Sequence, residues 1–316
     1  MTAAGIIAID MDGTLLGLDG QVSRRNCLAL HAAERAGFTI AIATGRRHSY
    51  AMKGLRGLGL KNSCPILSSN GAVTRTLDAK LLHRTFLDRE TALWMCGLLD
   101  DYRNALVLTF DKVGEDGEDS KGALVIEEFD HLHGRIRGWM ETNEPWMEIY
   151  RPIERVFDDP NAAPIQAMLC GNLQRMQEAE KLLLRHSFVR SGGATPRDWG
   201  QSPRVAIHRT EYPDRDLCLV DLMPVECSKG TALRQLCKDR GVDIAHTLAI
   251  GDNWNDVPMF EVAGYAAVMG NAAPDLQQMA YRRGWEMVGH HDNDGVADVI
   301  EQAIEHGFAK MAKRIA

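Results

Sequence analysis

The 316-residue chain lacks several features that would settle its class at once. Its seven cysteines, at positions 27, 64, 96, 170, 218, 227 and 237, include no pair at Cys-x-x-Cys spacing, so no zinc or dithiol redox motif is present. An odd count without a framework speaks against a disulfide-stapled secreted module and fits a reducing cytoplasm. Net positive charge is missing too. The formal charge is −7, whereas a nucleic-acid binder needs a basic stripe to neutralise phosphates. That balance does not exclude a phosphate ester as substrate, because local charge decides there. No apolar segment is long enough to span a bilayer. No basic region precedes the first apolar run, and Asp10 interrupts it, so the start does not read as a signal peptide. No internal repeat or low-complexity tract is visible. The expectation is a cytoplasmic protein that binds neither nucleic acid nor membrane.

What is present is an ample supply of core residues, 45% hydrophobic against 25% charged. The length suggests two domains, or one with a large insertion. Near the N-terminus Gly5-Ile6-Ile7-Ala8-Ile9-Asp10-Met11-Asp12-Gly13-Thr14 carries a short β-branched run into two acids and a turn. Such a run reads as a strand buried on both faces, as in a parallel sheet. Its acids then sit at the strand's carboxyl end, where open α/β sheets bind ligands. Spacing of i and i+2 on an extended chain lets both carboxylates face one small volume. Two such carboxylates repel unless a cation or shared proton compensates, so the stretch asks for a metal.

The pattern repeats along the chain. A helix is expected over Val22 to Ala36, with Ser23 as N-cap and Gly37 as stop. Phe38 to Ala43 reads as a strand ending in Thr44-Gly45-Arg46, and a helix follows from His48 to Gly57. Pro65 to Leu67 is a third strand, ending in Ser68-Ser69-Asn70-Gly71. This β-α-β-α-β order signals a parallel sheet. From Arg84 to Asp221 the alternation breaks. Helices are expected at Thr91 to Leu99, Gly134 to Glu141 and after Asn172. Strands are expected at Ala105 to Phe110, Ala123 to Phe129, Pro164 to Leu169, Arg204 to His208 and Leu217 to Leu222. The rhythm resumes with Ser228-Lys229-Gly230 opening a helix to Asp239. Thr247 to Ile250 is a strand ending in Gly251-Asp252-Asn253-Trp254-Asn255-Asp256. A helix over Val257 to Val262, a strand over Tyr265 to Val268, and helices over Pro274 to Arg283 and Val296 to His306 complete the chain. The fold class is therefore α/β: a Rossmann-like, doubly wound parallel sheet over residues 1–83 and 222–316, with an α+β module inserted over residues 84–221.

The chemistry collects at the strand ends. Asp10 and Asp12 come from one strand, Asp252 and Asp256 from another, with Thr44 and Lys229 adding a hydroxyl and an ammonium. Hard oxygen ligands without nearby cysteine or histidine point to Mg²⁺. Lys229 at a helix start, Thr44 and the Gly45 amide suit phosphoryl oxygens. Phosphoryl transfer needs this set of positioning, charge neutralisation and an in-line nucleophile, which an aspartate can be.

This arrangement resembles the haloacid dehalogenase superfamily of phosphotransferases. All four of its motifs match: Asp10 to Thr14, Thr44, Lys229, and Gly251 to Asp256. The Cof-type branch, with a C2B cap, is similar in further detail: Ala43 to Arg46, Ser69 to Ala72, Ser228 to Gly230, Met269 to Ala272 and Asp294 to Ala297. The resemblance covers the first 90 or so residues and the last 100 or so; the inserted module matches only in position and approximate size. It implies that Asp10 is nucleophile and metal ligand. Asp12 is then general acid and base, its backbone carbonyl binding the metal. Asp252 is the third protein ligand, and Asp256 supports the ligands from behind. Thr44, Gly45, Lys229 and Asn255 hold the phosphoryl group, with Arg46 and Asn70 as further candidates beside it. Arg46 could instead pair with a surface acid. Trp254 has no assignable role.

Blander readings cover the rest. His131-x-His133 and His290-His291 lack further metal ligands at fixed spacing. Trp94-Met95 and Trp146-Met147 read as core or interface of the inserted module rather than a ligand stack. The acid run Glu115 to Asp119 reads as a solvated loop. The expectation is a Mg²⁺-dependent phosphatase for small phosphorylated metabolites, sugar phosphates foremost. The alternatives are a phosphomutase of the same superfamily and a non-catalytic binder of a phosphorylated ligand. Oligomeric state and the leaving group are not encoded in any motif.

Overall fold

The computed structural model describes residues 4–128, 136, 141–191 and 203–307. The chain divides into two units: residues up to Leu82 together with residues from Ser228 onward, and His83–Cys227.

The first unit is built on β1 (Gly5–Asp10), β2 (Phe38–Ala43), β3 (Pro65–Ser68), β4 (Val73–Thr76) and β5 (Leu81–Arg84), the last leading out of it. The returning chain adds β13 (Thr247–Gly251), β14 (Tyr265–Val268) and β15 (Glu286–Met287). The strand order is β15-β14-β13-β1-β2-β3-β4-β5. From β15 to β3 all pairings are parallel, and β4 folds back antiparallel on β3. Burial on both faces explains the unbroken apolar run of β1. Ile7 and Ile9 pack with Leu30 of α1 (Arg24–Arg35), Leu55 of α2 (His48–Leu55) and Ile300 of α8 (Gly295–His306). Ile6 and Ala8 pack the other way, with Leu233 of α5 (Lys229–Arg240), Phe260 of α6 (Val257–Val262) and Leu276 of α7 (Pro274–Arg283). Two helical layers over a parallel sheet make this an α/β fold. Ser23 caps α1 by accepting from the Asn26 amide, as its position suggested.

The second unit holds α3 (Arg89–Leu98), β6 (Leu106–Thr109), β7 (Leu124–Ile126), β8 (Met147–Ile149) and β9 (Gln166–Gly171). It continues with α4 (Leu173–Leu183), β10 (Val189–Ser191), β11 (Val205–Tyr212) and β12 (Leu217–Pro224). Its sheet runs β10-β11-β12-β9-β6-β7-β8 and is mostly antiparallel. One face packs on α3 and α4 through Met95, Met176, Leu183, Leu169 and Val220. Trp94 lies edge-on to His186 and Phe188 against that core with Met95 inside it, and Met147 is buried in a second cluster, so these three side chains act in packing, while Trp146 is only half-buried.

Several expectations shift. The strand expected from Ala123 to Phe129 is only Leu124–Ile126 long, whereas β11 and β12 run on to Tyr212 and Pro224 as a paired ladder. The hairpin β4 with β5, and β8, β10 and β15, went unread. Asp119 is buried rather than solvated, because Val113 and Asp119 form an antiparallel bridge closing a small hairpin. The helix expected at Gly134 to Glu141 falls mostly outside the described residues, as do His131 and His133. No cysteine forms a disulfide; burial pushes the thiols of Cys64, Cys96, Cys170, Cys218 and Cys227 up to about 12, which keeps them unreactive. Among the described residues no helix is long and apolar enough to cross a membrane.

Candidate active site

The carboxyl ends of β1, β2, β3 and β13 lie side by side in the sheet, and they bring together side chains that are far apart in sequence. Lys229 stands at the centre. Ser228 caps α5 by accepting from the Thr231 amide, which places Lys229 in the first helical position. Its side chain is wholly buried, and Nζ donates to Asp10 Oδ1 at 2.6 Å and to Asp256 Oδ1 at 2.6 Å. Burial opposes the ammonium charge, but the two carboxylates outweigh it and raise the Lys229 pKa. Lys229 is therefore a fixed cation.

The acids outnumber it. Asp10, Asp252 and Asp256 place carboxylate oxygens within 4.8 Å of one another. Asp10 is pushed up to about 7, first by burial and then by the Asp256 charge, with Lys229 pulling the other way. Asp252 is raised well above the ordinary range by burial, then by Asp10 and Asp256. Asp10 and Asp252, whose ionisation is opposed by burial and by neighbouring carboxylates, offer hard oxygens in the environment a divalent cation relieves, so the residues fit such an ion. The three acids do not have equal freedom. Asp256 spends Oδ1 on Lys229 and Oδ2 on the amides of Asp252 and Asn253, both at 3.0 Å. It orients the Asp252 backbone and holds Lys229. Asp252 accepts from Thr14 Oγ1 at 3.0 Å.

Asp12 stands near enough to Asp10 for its charge to add to the rise in the Asp10 pKa, but it is not one of the three crowded acids. β1 ends at Asp10, and the chain turns at once, with the Leu15 and Leu16 amides donating back to the Asp10 and Met11 carbonyls. The i, i+2 rule of an extended strand no longer applies beyond that point. The Asp12 carboxylate is instead gripped by the Arg46 guanidinium: Nε donates to Oδ2 at 2.8 Å and Nη2 to Oδ1. Arg46 in turn lies over the Tyr50 ring, 4.9 Å from its centroid. The partner of Arg46 is thus an acid of the site rather than a surface acid. Gly13 makes the turn, with φ at +78°, and a side chain there would collide with the Asp252 carboxylate.

Thr44 is fully buried; its amide donates to the Leu67 carbonyl at 2.9 Å, and its hydroxyl accepts from the Arg46 amide at 3.1 Å. Asn255, on the turn after β13, donates through Nδ2 to Asn70 Oδ1 at 3.0 Å. Gly45 lies against both amides. All the sequence-derived site residues in this unit therefore fall around one group of strand ends. Trp254 opens the short turn Trp254–Asp256 and packs on the core beside Phe260 and Leu276, a packing role.

Two contributors were not singled out from sequence. Thr14 was read only as part of the turn, yet it bonds Asp252. Asn271 donates through Nδ2 to the Gly13 carbonyl at 2.8 Å and reaches Asp252 Oδ2 at 3.4 Å, while its Oδ1 accepts from the His291 amide at 3.1 Å. Its place at the end of β14, within Met269 to Ala272, was the available signal. Asp292 joins His290 and His291 in a second group of ligand atoms within 4.8 Å, but Asp292 Oδ1 is already engaged by the Leu18 amide.

The comparisons with known proteins agree with this geometry. A family model described as haloacid dehalogenase-like hydrolase matches residues 7–192 and 207–300. The chain is 28% identical over 330 residues to Phosphatase YwpJ of Bacillus subtilis, covering 98% of this chain and 99% of that protein. It is 26% identical over 323 residues to 5-amino-6-(5-phospho-D-ribitylamino)uracil phosphatase YwtE of the same organism, covering 96% and 99%. Among solved structures, a haloacid dehalogenase-like hydrolase from B. subtilis superposes with a TM-score of 0.72 at 23% identity, over 96% of this chain and 99% of that one. The chain belongs to the haloacid dehalogenase-like hydrolases.

Proposed function

We propose that this family member is a Mg²⁺-dependent phosphatase that hydrolyses small phosphorylated metabolites through an aspartyl-phosphate on Asp10. The observation that carries the reading is the buried ammonium of Lys229 held by both Asp10 and Asp256, with Asp252 alongside. One ammonium offsets only part of the charge of three crowded acids; a divalent cation offsets the rest and lets an anionic substrate approach. The names of the two curated relatives are compatible with the reading, and one describes a phosphate on a ribityl chain.

Asp10 and Asp252, with the Asp12 carbonyl, are the residues that would hold Mg²⁺. When bound there, the ion offsets the repulsion between acids and draws charge from a phosphoryl oxygen. The chain's own residues do the rest. Lys229 and the Thr44 hydroxyl, with the Gly45 amide and Asn255, fix the phosphoryl oxygens. An Asp10 oxygen attacks phosphorus while the bond to the leaving oxygen breaks; Asp12, having taken a proton from solvent and yielded one Arg46 contact to do so, delivers that proton to the leaving oxygen. Asp12 then takes a proton from water as the water attacks phosphorus, which releases inorganic phosphate and restores Asp10. Arg46 sets the direction of the Asp12 carboxyl through its two-point contact.

The test is phosphate release from a panel of phosphorylated metabolites, sugar and polyol phosphates included, with Mg²⁺ and with excess chelator. Release that needs Mg²⁺, and that Ca²⁺ supports poorly because of its looser coordination, is the expected result. Full activity in chelator contradicts the metal assignment. Isomer interconversion without net phosphate release would make the protein a phosphomutase, and neither reaction would make it a binder.

A further inference from the structure

We propose that Asn70 is a positioning residue for phosphoryl binding. The turn that carries it joins the three chain segments that hold the phosphoryl group. The inference rests on the phosphatase reading above and extends it to a residue with no direct part in the chemistry.

The turn Ser69–Gly71 follows β3 and has an unusual backbone. Ser69 and Asn70 have φ of +47° and +50°, and Gly71 has +92°. Non-glycine residues adopt the left-handed region only when their surroundings enforce it, and both are almost fully buried. The surroundings here are the phosphoryl-holding segments themselves. The Asn70 amide donates to the Thr44 carbonyl at 3.0 Å, and the Ser69 amide donates to the Arg46 carbonyl at 2.8 Å. Both bonds hold the loop that carries Thr44 and Gly45. The Asn70 side chain accepts from Asn255 Nδ2 at 3.0 Å, which ties in the turn after β13. Gly71 lies so close to the Ser228 carbonyl that a side chain would strike it, and Ser228 caps the helix that opens with Lys229. One strained turn thus meets all three segments.

The Asn70–Asn255 bond also decides which end of the Asn255 amide is free. As placed, Asn255 gives one of its two Nδ2 N–H groups to Asn70, and its Oδ1 is buried with no hydrogen-bond partner. A phosphoryl oxygen needs a donor, and a buried orphan acceptor is costly. Exchanging O and N in both amides keeps the bond between them, with Asn70 now donating. It satisfies Asn255 Oδ1 and turns Asn255 Nδ2 to where the orphan oxygen stood. In the phosphate-bound enzyme Asn70 is then the group that presents the Asn255 donor.

The experiment compares Asn70→Gly, Asn70→Asp, Asn255→Ala and the double variant Asn70→Gly/Asn255→Ala with the wild-type protein. The readouts are kcat and KM for nitrophenyl phosphate, inhibition by inorganic phosphate, and the Mg²⁺ concentration giving half activity. Glycine adopts the left-handed conformation freely, so Asn70→Gly keeps the turn and removes only the amide. It should raise KM and the phosphate inhibition constant by about tenfold, the order expected of one hydrogen bond to a charged group. The half-activating Mg²⁺ concentration should not move. Asn70→Asp can only accept, so it fixes the Asn255 amide with Oδ1 at the orphan position, where a phosphoryl oxygen would meet an acceptor, and should lose more than Asn70→Gly. In the double variant the losses should not add, because Asn70 acts through Asn255. Unchanged KM and phosphate inhibition in Asn70→Gly overturn the inference, as do fully additive losses. A variant that merely folds less well lowers kcat per total protein and leaves both constants unchanged, so it counts against the inference too. A wild-type protein that releases no phosphate from any substrate fails the phosphatase reading; normal turnover with an indifferent Asn70 fails only this one.

Discussion

At the scale of single residues the site is governed by a charge imbalance. One buried cation, Lys229, serves Asp10 and Asp256, while Asp252 adds a third acid to the group. Removing one member of a buried ion pair leaves the other unpaired, at a typical cost of about 3–5 kcal/mol. Lys229→Met should therefore lower unfolding stability by about that much and abolish phosphate release; denaturant midpoints and a phosphate assay check both. Asp10 makes the opposite case. Its folded pKa of about 7 stands above the ordinary 3.8. Between those values the folded chain holds a proton that the unfolded chain gives up. The contribution to stability is therefore whole below about pH 4 and is lost as pH rises through about 7. Asp10→Asn cannot ionise. In chelator at about pH 8 it should melt above the wild-type protein, and at about pH 4 the two should differ little. Melting curves at the two pH values decide it, and a variant that melts lower at pH 8 contradicts the charge account. Mg²⁺ should raise the wild-type melting temperature most above about pH 7, where Asp10 has lost its proton.

At the scale of elements, strand ends and the turns after them form the site. The strands and helices were legible because burial dictates their pattern. Tyr265–Val268, Val257–Val262 and Pro274–Arg283 lie where hydrophobic spacing and proline placement put them. The residues at the strand ends stood out in the sequence as candidates, because few structural needs explain paired acids, a hydroxyl and a lysine in that order. Their orientation was not. Asp12 turns to Arg46 because the strand stops at Asp10, and no local spacing encodes a contact across 34 residues. The link from Asn271 to Gly13 spans 258 residues and was equally hidden. The β4–β5 hairpin was missed because its second strand is largely exposed and shows no alternation. Glycine at the Ser69–Gly71 turn gives a further prediction. Gly71→Ala places a β-carbon against the Ser228 carbonyl in a backbone conformation alanine resists, so either the turn or the start of α5 must shift. Activity should fall by at least tenfold with a stability loss of about 1–3 kcal/mol. Normal kinetics in this variant would mean that the helix start tolerates displacement.

At the scale of the whole molecule, a family-typical α/β unit carries the site residues, and a separate α+β unit is inserted between its halves. The central claim remains the covalent step on Asp10, and it separates the two opening aspartates. Asp12→Asn keeps the nucleophile and the backbone carbonyl but loses proton transfer, which typically contributes about 10²–10⁴-fold. A nitrophenolate leaves without help, so the first step survives in part, while water then lacks its base. Rapid mixing of Asp12→Asn with nitrophenyl phosphate and Mg²⁺, followed by mass spectrometry of the protein, measures this directly. The account predicts a burst of up to about one equivalent of nitrophenol, then a stall, with phosphate carried on Asp10. Steady turnover by Asp12→Asn at the wild-type rate, or a burst without covalent phosphate on Asp10, would contradict it.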